Sequence, residues 1–305
     1  MIVTKGFLVS AIFVPFQIMI ILPPHTGDSC TGPQSLAKAD VPQDYNTEPA
    51  HMKYLKRIEY ITGQMPPEPE EGCLYVLSPG TFLREKNYPD IPYVLYRDSA
   101  KEGSLFADGV KYVLEGEGPF DPESFDDDYL EKIYRRLLRI PWDILETDRC
   151  VIRETTVSDL DAFYEIYSDP EITRFLEGLM ERSEEEKYTE NYRDLIYDIY
   201  GHGIWTVLLK DTGEVIGRAG LDERAGFDTP ELGFMIGRKW QRRGLALEVC
   251  EGILHRAAEE GMDTVMSLTE RENAASVHLL EKLGFLAEDT VEISGTELVR
   301  YLKKL

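Results

Sequence analysis

The chain has 305 residues, of which 43% are hydrophobic, 10% aromatic and 29% charged. This composition supports a packed core and excludes wholesale disorder, and the length predicts two domains. The net charge is −23, from 33 Lys and Arg against 56 Asp and Glu, and because nucleic-acid binding needs a concentrated basic face, we expect no nucleic-acid partner.

Residues 1–50 consist of an apolar run, 6–22, and a polar stretch, 23–50, that is rich in Pro, Gly and Ser. The run is short for a membrane span and better sized for a signal peptide, but a small-x-small cleavage site follows only at residues 37–39. Three interpretations stay open: a membrane anchor, an export signal, and an extension upstream of a true start at Met52. Under any of the three, residues 1–50 are predicted to be an apolar leader and a flexible linker. We favour the third interpretation, and we expect a cytoplasmic protein without a membrane partner.

Residues 51–148 predict a small α/β domain of unknown role. Apolar residues three apart predict a helix over residues 51–62: Met52, Leu55, Ile58 and Ile61. Short apolar runs bounded by Gly, Pro or Asp predict three strands: residues 73–77, 93–96 and 110–114. A helix is predicted over residues 127–138, because acidic residues begin it and arginines end it.

This domain loosely resembles part of a Rossmann-like or haloacid-dehalogenase-like fold. An Asp-x-Asp nucleophile loop of the latter family would follow a strand, whereas Asp126 and Asp128 stand at the start of a helix. We therefore assign the domain no catalytic role.

Residues 149–305 predict a second α/β domain, which begins with a strand at 149–153. Ser158, with Asp161 three positions later, predicts the N-cap of one helix, and a second helix is predicted over about residues 184–200. Three strands follow, the first two joined by a turn at 211–214: residues 204–210, 215–221 and 231–236.

The turn after the strand at 231–236 combines glycines, cations and the start of a helix that ends near Gly261. Its cations form the one dense basic cluster of the sequence: Arg238, Lys239, Arg242 and Arg243. Backbone N–H groups of a turn and of a helix N-terminus converge on an anion, and Gly244 and Ala246 allow close approach, so the segment predicts a pyrophosphate site. Alone, the spacing Gln241-x-x-Gly244-x-Ala246 fits a solvated turn equally well.

A second segment follows a predicted strand at 264–268. It contains Asn273-x-x-Ser276 and the sequence Glu281-Lys282-Leu283-Gly284-Phe285. Over residues 149–305 the two segments together resemble the GNAT (Gcn5-related N-acetyltransferase) superfamily. Residues 200–205 and 231–234 resemble its RimJ/RimL-like branch of ribosomal-protein N-terminal acetyltransferases.

The resemblance implies a mixed-sheet acyl-CoA N-acyltransferase fold whose strands at 231–236 and 264–268 splay apart. It implies acetyl-CoA as co-substrate, with backbone groups of residues 234–236 at the thioester. The cofactor-binding residues that it implies are Phe234, Met235, Ile236, Gln241, Arg242, Arg243, Gly244, Leu245, Ala246, Asn273 and Ser276. The scattered Cys and His residues have no metal-ligand spacing, so we expect no metal.

Acetyl transfer to an amine needs a base, because a lysine-like amine keeps its proton at neutral pH. Glu231 is the candidate base, acting through water, and the alternative is an ordinary carboxylate at a strand end. Leu280 stands where many family members have a tyrosine as general acid, so Ser276 is the candidate proton donor. Ser276 also fits an ordinary place near a helix start, and Asn273 fits both cofactor binding and a helix N-cap.

The residues expected near the acceptor lie between 158 and 205, and their aromatic members also fit a core: Arg174, Phe175, Tyr192, His202 and Trp205. The resemblance predicts an N-acetyltransferase that moves an acetyl group from acetyl-CoA to a primary amine by direct attack in a ternary complex. The acceptor candidates are a protein N-terminus, a polyamine and another small amine. The alternative, motivated by Leu280, is a non-catalytic acyl-CoA-binding module that regulates the N-terminal domain.

Overall fold

The structure is a computed structural model that describes residues 20–22, 53–64, 68, 70–84, 91–100, 111–176, 179–197 and 200–305. The described chain forms two compact units, which divide between Trp142 and Asp143. The predicted leader and linker lie outside the described residues, apart from three residues at 20–22. Within the described ranges, no helix combines the length and the apolarity needed to cross a bilayer.

The first unit is built on a five-stranded parallel sheet with the order β1-β5-β4-β3-β2. Its elements are β1 (Ile20–Leu22), β2 (Arg57–Ile61), β3 (Cys73–Leu77), α1 (Pro79–Arg84), β4 (Tyr93–Asp98), β5 (Tyr112–Gly116) and α2 (Asp127–Leu137). All five residues of β3 are buried, because side chains on its two faces enter separate apolar clusters, one of which includes residues of α2. This covering of both faces explains the continuous apolar run that predicted the strand.

The helix predicted over residues 51–62 is wrong, since Arg57–Ile61 forms strand β2. Parallel pairing of β2 with β3 fixes this segment as extended chain, and the β-branched isoleucines suit a pleated surface. Leu55 is nevertheless fully buried. The backbone N–H groups of Tyr54 and Leu55 donate to the Glu131 carboxylate of α2, at 3.0 and 2.7 Å.

The helix predicted over 127–138 is present as α2. Asp126 is its N-cap, with Oδ1 accepting from the Tyr129 backbone N–H at 3.0 Å. The acidic residues at this point therefore stabilise the start of the helix, as predicted. The resemblance of this unit to Rossmann-like or haloacid-dehalogenase-like folds stays a prediction.

The second unit is built on an eight-stranded mixed sheet with the order β12-β13-β11-β10-β9-β8-β7-β6. Its strands are β6 (Asp143–Glu146), β7 (Cys150–Arg153), β8 (Ile204–Leu209), β9 (Val215–Asp222), β10 (Glu231–Ile236), β11 (Thr264–Thr269), β12 (Leu286–Ile293) and β13 (Thr296–Lys304). Its helices are α3 (Leu160–Tyr167), α4 (Pro170–Thr173), α5 (Arg182–Tyr192), α6 (Leu245–Glu259) and α7 (Ala274–Lys282). This arrangement confirms the mixed-sheet fold class, to which β6 and the hairpin β12–β13 add strands that were not predicted.

The helix starts differ from the prediction in two places. Ser158 is not the N-cap of the first helix, because Thr156 and Asp159 form a capping box around a short 3-10 turn that leads into α3. The Thr156 backbone N–H donates to Asp159 Oδ2 at 2.9 Å. The second helix begins at Arg182, earlier than predicted, and continues as a π-helical turn over Arg193–Tyr197.

Strands β10 and β11 run parallel but diverge. Glu231 and Met266 are their one paired position in the ladder, and the Met266 backbone N–H donates to Pro230 O at 2.9 Å. By contrast, all six residues of β10 pair with β9. The sheet therefore opens between β10 and β11 in the direction of Ile236, as the family resemblance implied.

Candidate active site

A cavity of about 610 Å³ lies at the C-terminal end of β10. It is bounded by the turn after β10, by the N-terminal ends of α6 and α7, and by the segment around α4. The residues that line it are Glu171, Arg174, Phe175, Ile236, Trp240, Gln241, Arg242, Gly244, Leu245, Ala246, Leu247, Glu272, Asn273, Ala274, Ala275, His278, Leu279 and Lys282. Most of the predicted cofactor-binding residues thus meet at one place.

The turn between β10 and α6 has the backbone that an anion site needs. Arg242 and Gly244 both adopt left-handed conformations, with φ of 58° and 78°, and Gly244 is the N-cap of α6 without a side-chain cap. The Gln241 side chain holds the turn, since its Nε2 donates to Ile236 O at 2.8 Å. The first backbone N–H groups of α6 therefore lie at the cavity, where they suit a negatively charged ligand.

An ion pair from the start of the unit anchors this turn. Arg149 donates through Nε to Glu248 Oε2 at 2.6 Å and through Nη1 to Arg243 O at 2.9 Å. Glu248 on α6 also accepts from Thr147 Oγ1 at 2.6 Å. Burial works against ionisation of Glu248, but these hydrogen bonds and the guanidinium outweigh it and leave the pKa below its usual value. No local pattern predicts this anchor, because Arg149 and Glu248 are 99 residues apart in the sequence.

The four cations of the turn divide into two pairs. Arg238 contacts Asp169 at 3.5 Å, and Lys239 contacts Glu214 at 2.8 Å. Arg242 and Arg243 are exposed, and neither side chain makes an ion pair with any residue that the structure describes. Of these two, Arg242 lines the cavity.

Helix α7 contributes two cavity-lining groups that sequence reasoning missed. His278 and Lys282 are exposed, lie four residues apart and therefore share one face of the helix. At the start of α7, Asn273 Oδ1 accepts from the Ser276 backbone N–H at 3.3 Å, so Asn273 is both an N-cap and a cavity residue. Ser276 is fully buried beneath this first turn and does not line the cavity.

The backbone of β10 presents alternate residues to its two neighbours. The Gly237 N–H donates to Ile216 O at 2.8 Å, and by the alternation of an antiparallel ladder Met235 also directs its N–H and C=O to β9. Phe234 and Ile236 then direct theirs to the side of β11, where the sheet opens. Of the three residues predicted to bind the thioester, Phe234 and Ile236 therefore direct their backbone groups into the gap between β10 and β11.

A buried polar cluster lies at the other end of β10, around Glu231. The carboxylate is 2% exposed, and its Oε2 accepts from Arg224 Nη1 at 3.1 Å. Burial raises the pKa of Glu231 to about 8, against the opposing effect of Arg224 and with a contribution from the negative charge of Asp222. A carboxyl with this pKa exchanges its proton near neutral pH, which suits a general base.

Asp222 of β9 faces Glu231 across the ladder. Its Oδ1 accepts from the Tyr192 hydroxyl at 3.0 Å, and the same hydroxyl accepts from the Ile204 backbone N–H at 3.0 Å. Burial raises the pKa of Asp222 to about 6, although the Tyr192 hydrogen bond opposes the rise. His202 Nε2 lies 3.1 Å from Glu223 Oε1 beside this pair. Sequence reasoning identified Tyr192 and His202 but missed Asp222.

The predicted acceptor residues do not come together. Tyr192 and His202 belong to the buried cluster around Asp222, whereas Arg174 and Phe175 line the cavity, where the Arg174 guanidinium lies 5.1 Å from the Phe175 ring centre. Trp205 is 2% exposed on β8 and lines neither place. Within the described residues, no group of three or more His, Cys, Asp or Glu side chains is placed to hold a metal ion.

A mixed sheet that opens between two parallel strands, with an anion-suited turn at the open end, defines the acyl-CoA N-acyltransferase class of fold. A sequence model of the acetyltransferase (GNAT) domain matches residues 149–286. The uncharacterized N-acetyltransferase YoaA of Bacillus subtilis (strain 168) is 30% identical over 149 residues, which are 48% of this chain and 84% of YoaA. The chain belongs to the acetyltransferase (GNAT) family, and it is an acyltransferase.

Further similarities cover about half of the chain. The uncharacterized N-acetyltransferase p20 of Bacillus licheniformis is 26% identical over 150 residues, 47% of this chain and 83% of p20. The crystal structure of an acetyltransferase from Agrobacterium tumefaciens str. C58 is 23% identical with a TM-score of 0.46, covering 52% of this chain and 92% of its own. The family match begins at residue 149, so the first unit lies outside it.

Proposed function

We propose that the second unit transfers an acetyl group from acetyl-CoA to a primary amine by direct attack in a ternary complex. One observation carries this proposal: the opening between β10 and β11 runs from Glu231, a buried carboxyl, to the cavity at the basic turn. At about 3.3 Å per residue, the five residues from Glu231 to Ile236 separate the two by roughly 17 Å. A long, extended co-substrate suits this path, with its anionic end at the turn and its reactive end near Glu231.

The cavity residues fit acetyl-CoA. The backbone N–H groups after Gly244, at Leu245 and Ala246, suit the pyrophosphate, and Arg242 supplies an uncommitted positive charge. Along α7, Lys282 adds a positive charge and His278 a ring nitrogen that can donate a hydrogen bond, and both suit further phosphate groups. On β10, the edge that contains Phe234 and Ile236 suits the thioester arm, because N–H donors aimed at a carbonyl oxygen stabilise the oxyanion that forms there.

The chemistry needs two proton transfers. The amine nitrogen attacks the thioester carbon, the carbon–sulfur bond breaks, and the nitrogen loses a proton to Glu231 through water. The departing sulfur takes a proton from the Ser276 hydroxyl, the proposed donor, as the O–H bond breaks and an S–H bond forms, and Ser276 regains a proton from solvent before the next turnover. Ser276 lies one turn before Leu280 on the same buried face of α7, so its hydroxyl occupies the helix face from which the missing tyrosine would act.

The acceptor that we propose is a cationic primary amine. The chain carries a net charge of −23, and two buried carboxyls lie where the amine has to lose its proton, so a positively charged approach is favoured. A protein N-terminus, as the RimJ/RimL-like resemblance suggests, a polyamine and another small amine all meet this description. Since acetyl-CoA is a cytosolic metabolite, we propose that the enzyme acts in the cytoplasm, and we assign residues 51–148 no catalytic role.

The test measures acetyl-CoA binding by calorimetry and thiol release with a panel of amines, using the full chain. Gly244→Glu should abolish binding, because it places a negative charge at the pyrophosphate site and strains a left-handed backbone. Gly295→Glu is the matched control, since this glycine has the same φ of 78° in the open turn between β12 and β13.

The outcomes separate the alternatives. Acetyl-CoA binding that is lost in Gly244→Glu and kept in Gly295→Glu, together with thiol release for at least one amine, supports the proposal. Binding without thiol release for any amine would favour the non-catalytic regulatory module. No binding at millimolar acetyl-CoA would overturn both.

A further inference from the structure

Two acidic side chains face each other in the interior of the second unit. Asp222 of β9 and Glu231 of β10 are ladder partners, and the alternation fixed by Gly237 and Ile216 makes them a hydrogen-bonded pair of the antiparallel ladder. Partners of this kind lie about 5.5 Å apart at Cα, with their side chains on the same face of the sheet. Both side chains are buried, with exposed fractions of 6% and 2%.

The groups around the pair supply too little positive charge to ionise both carboxyls. Arg224 donates to Glu231, and His202 pairs with Glu223 beside Asp222. From α5, Tyr188 and Tyr192 face the pair as neutral phenols, since burial raises the pKa of both hydroxyls above the usual value. Three carboxyls thus share one guanidinium and one imidazole.

Two buried carboxyls that face each other across a strand pair do not readily ionise together, because the second negative charge is repelled by the first in a medium that screens poorly. The proton that remains goes to the carboxyl whose anion is less well stabilised. Arg224 favours the Glu231 anion and Tyr192 favours the Asp222 anion. Glu231 is nevertheless the more deeply buried of the two, and burial raises its pKa further than that of Asp222, so the proton stays with Glu231. The apparent pKa at which the remaining proton is lost then belongs to the two carboxyls together and not to Glu231 alone.

We propose that Asp222 is a positioning residue for acetyl transfer: its negative charge keeps a proton on Glu231 and so sets the pH at which Glu231 accepts a proton from the acceptor amine. The inference rests on the proposed function and adds to it. The step is a proton transfer alone, in which an N–H bond of the amine breaks and an O–H bond forms on Glu231. That proton passes to solvent before the next turnover.

The first test is the pH profile of kcat/KM for the full chain and for Asp222→Asn. Removing the neighbouring charge should move the acidic midpoint of the profile down by about one pH unit or more. Asp211→Asn is the matched control, because Asp211 is exposed in the turn between β8 and β9, away from the pair, and it should keep the wild-type midpoint. An unchanged midpoint in Asp222→Asn would overturn the proposal.

A second measurement needs neither turnover nor a folded variant. Carboxyl-carbon NMR of the wild-type chain, labelled in its Asp and Glu side chains, should show signals of Asp222 and Glu231 that each move at two common pH midpoints. Independent single midpoints would overturn the pair. If no amine supports thiol release, the proposed function fails. The NMR titration still decides whether Asp222 and Glu231 titrate as a coupled pair.

Discussion

Replacing Glu231 by Gln should remove much of the pH dependence of stability of the sheet that contains β9 and β10. In the folded chain, burial raises the pKa of Glu231 from 4.5 to about 8. Between these values the folded state keeps a proton that the unfolded state has lost. Stability is therefore greatest below the unfolded pKa, falls as the pH rises, and reaches its lower level above the folded pKa.

The size of the effect follows from the two pKa values. At about 1.4 kcal/mol per pH unit, the difference between 4.5 and about 8 corresponds to roughly 5 kcal/mol of opening free energy. Gln has the shape of the protonated acid and does not titrate. The variant should therefore match the wild type near pH 5 and exceed it by several kcal/mol near pH 9.

Hydrogen exchange of peptides from β9 and β10, corrected for the pH dependence of intrinsic exchange, gives the opening free energy of this sheet. Glu297→Gln is the control, because Glu297 is an exposed carboxylate on β13 and its loss should leave the wild-type curve unchanged. Parallel curves for the wild type and Glu231→Gln from pH 5 to pH 9 would refute the reasoning.

Two further predictions concern the co-substrate. Arg242→Ala should weaken acetyl-CoA binding, measured by calorimetry, about tenfold through loss of a charge-assisted contact. Lys239→Ala should change the binding little, because Lys239 is held by Glu214. Equal losses of affinity in the two variants would show that only the overall charge matters. Ser276→Ala should lower kcat about 10- to 100-fold with an unchanged KM for acetyl-CoA. The helix N-cap should survive this change, because Asn273 accepts from the backbone N–H of Ser276. An unchanged kcat would exclude Ser276 as the proton donor.

The turn between β10 and α6 could be predicted because the residues that shape it are local in the sequence. Glycines, cations and the helix start all lie within ten residues after β10. Each of these features indicates an anion site without knowledge of the rest of the chain. Strands β3 and β10 were predicted with their observed bounds for a similar reason: β3 is a continuous apolar run, and β10 is apolar after Glu231 and lies between Pro230 and Gly237.

The features that were predicted wrongly or missed depend on contacts between segments that are distant in the sequence. The segment at 57–61 has helical spacing but becomes a strand because of its parallel partner β3, which no local pattern announces. Asp222, Tyr192 and His202 come from three separate segments. The register of β9 with β10 brings Asp222 to Glu231, and Tyr192 and His202 join through contacts with β9 and the residue after it. A buried carboxyl pair has no sequence signature, because neither residue is unusual alone.

The divergence of β10 and β11 also has a mechanical consequence. Because the ladder contains one paired position between them, the sheet consists of two slabs, β6–β10 and β11–β13, that meet at a pivot by Glu231 and Met266. Rotation about this pivot widens or narrows the gap at Ile236 without breaking a ladder hydrogen bond within either slab. Such a rotation would strain the hydrogen bond that Ser267 Oγ of β11 donates to Leu232 O of β10 at 2.9 Å, while the pairing of β9 with β10 keeps Asp222 opposite Glu231.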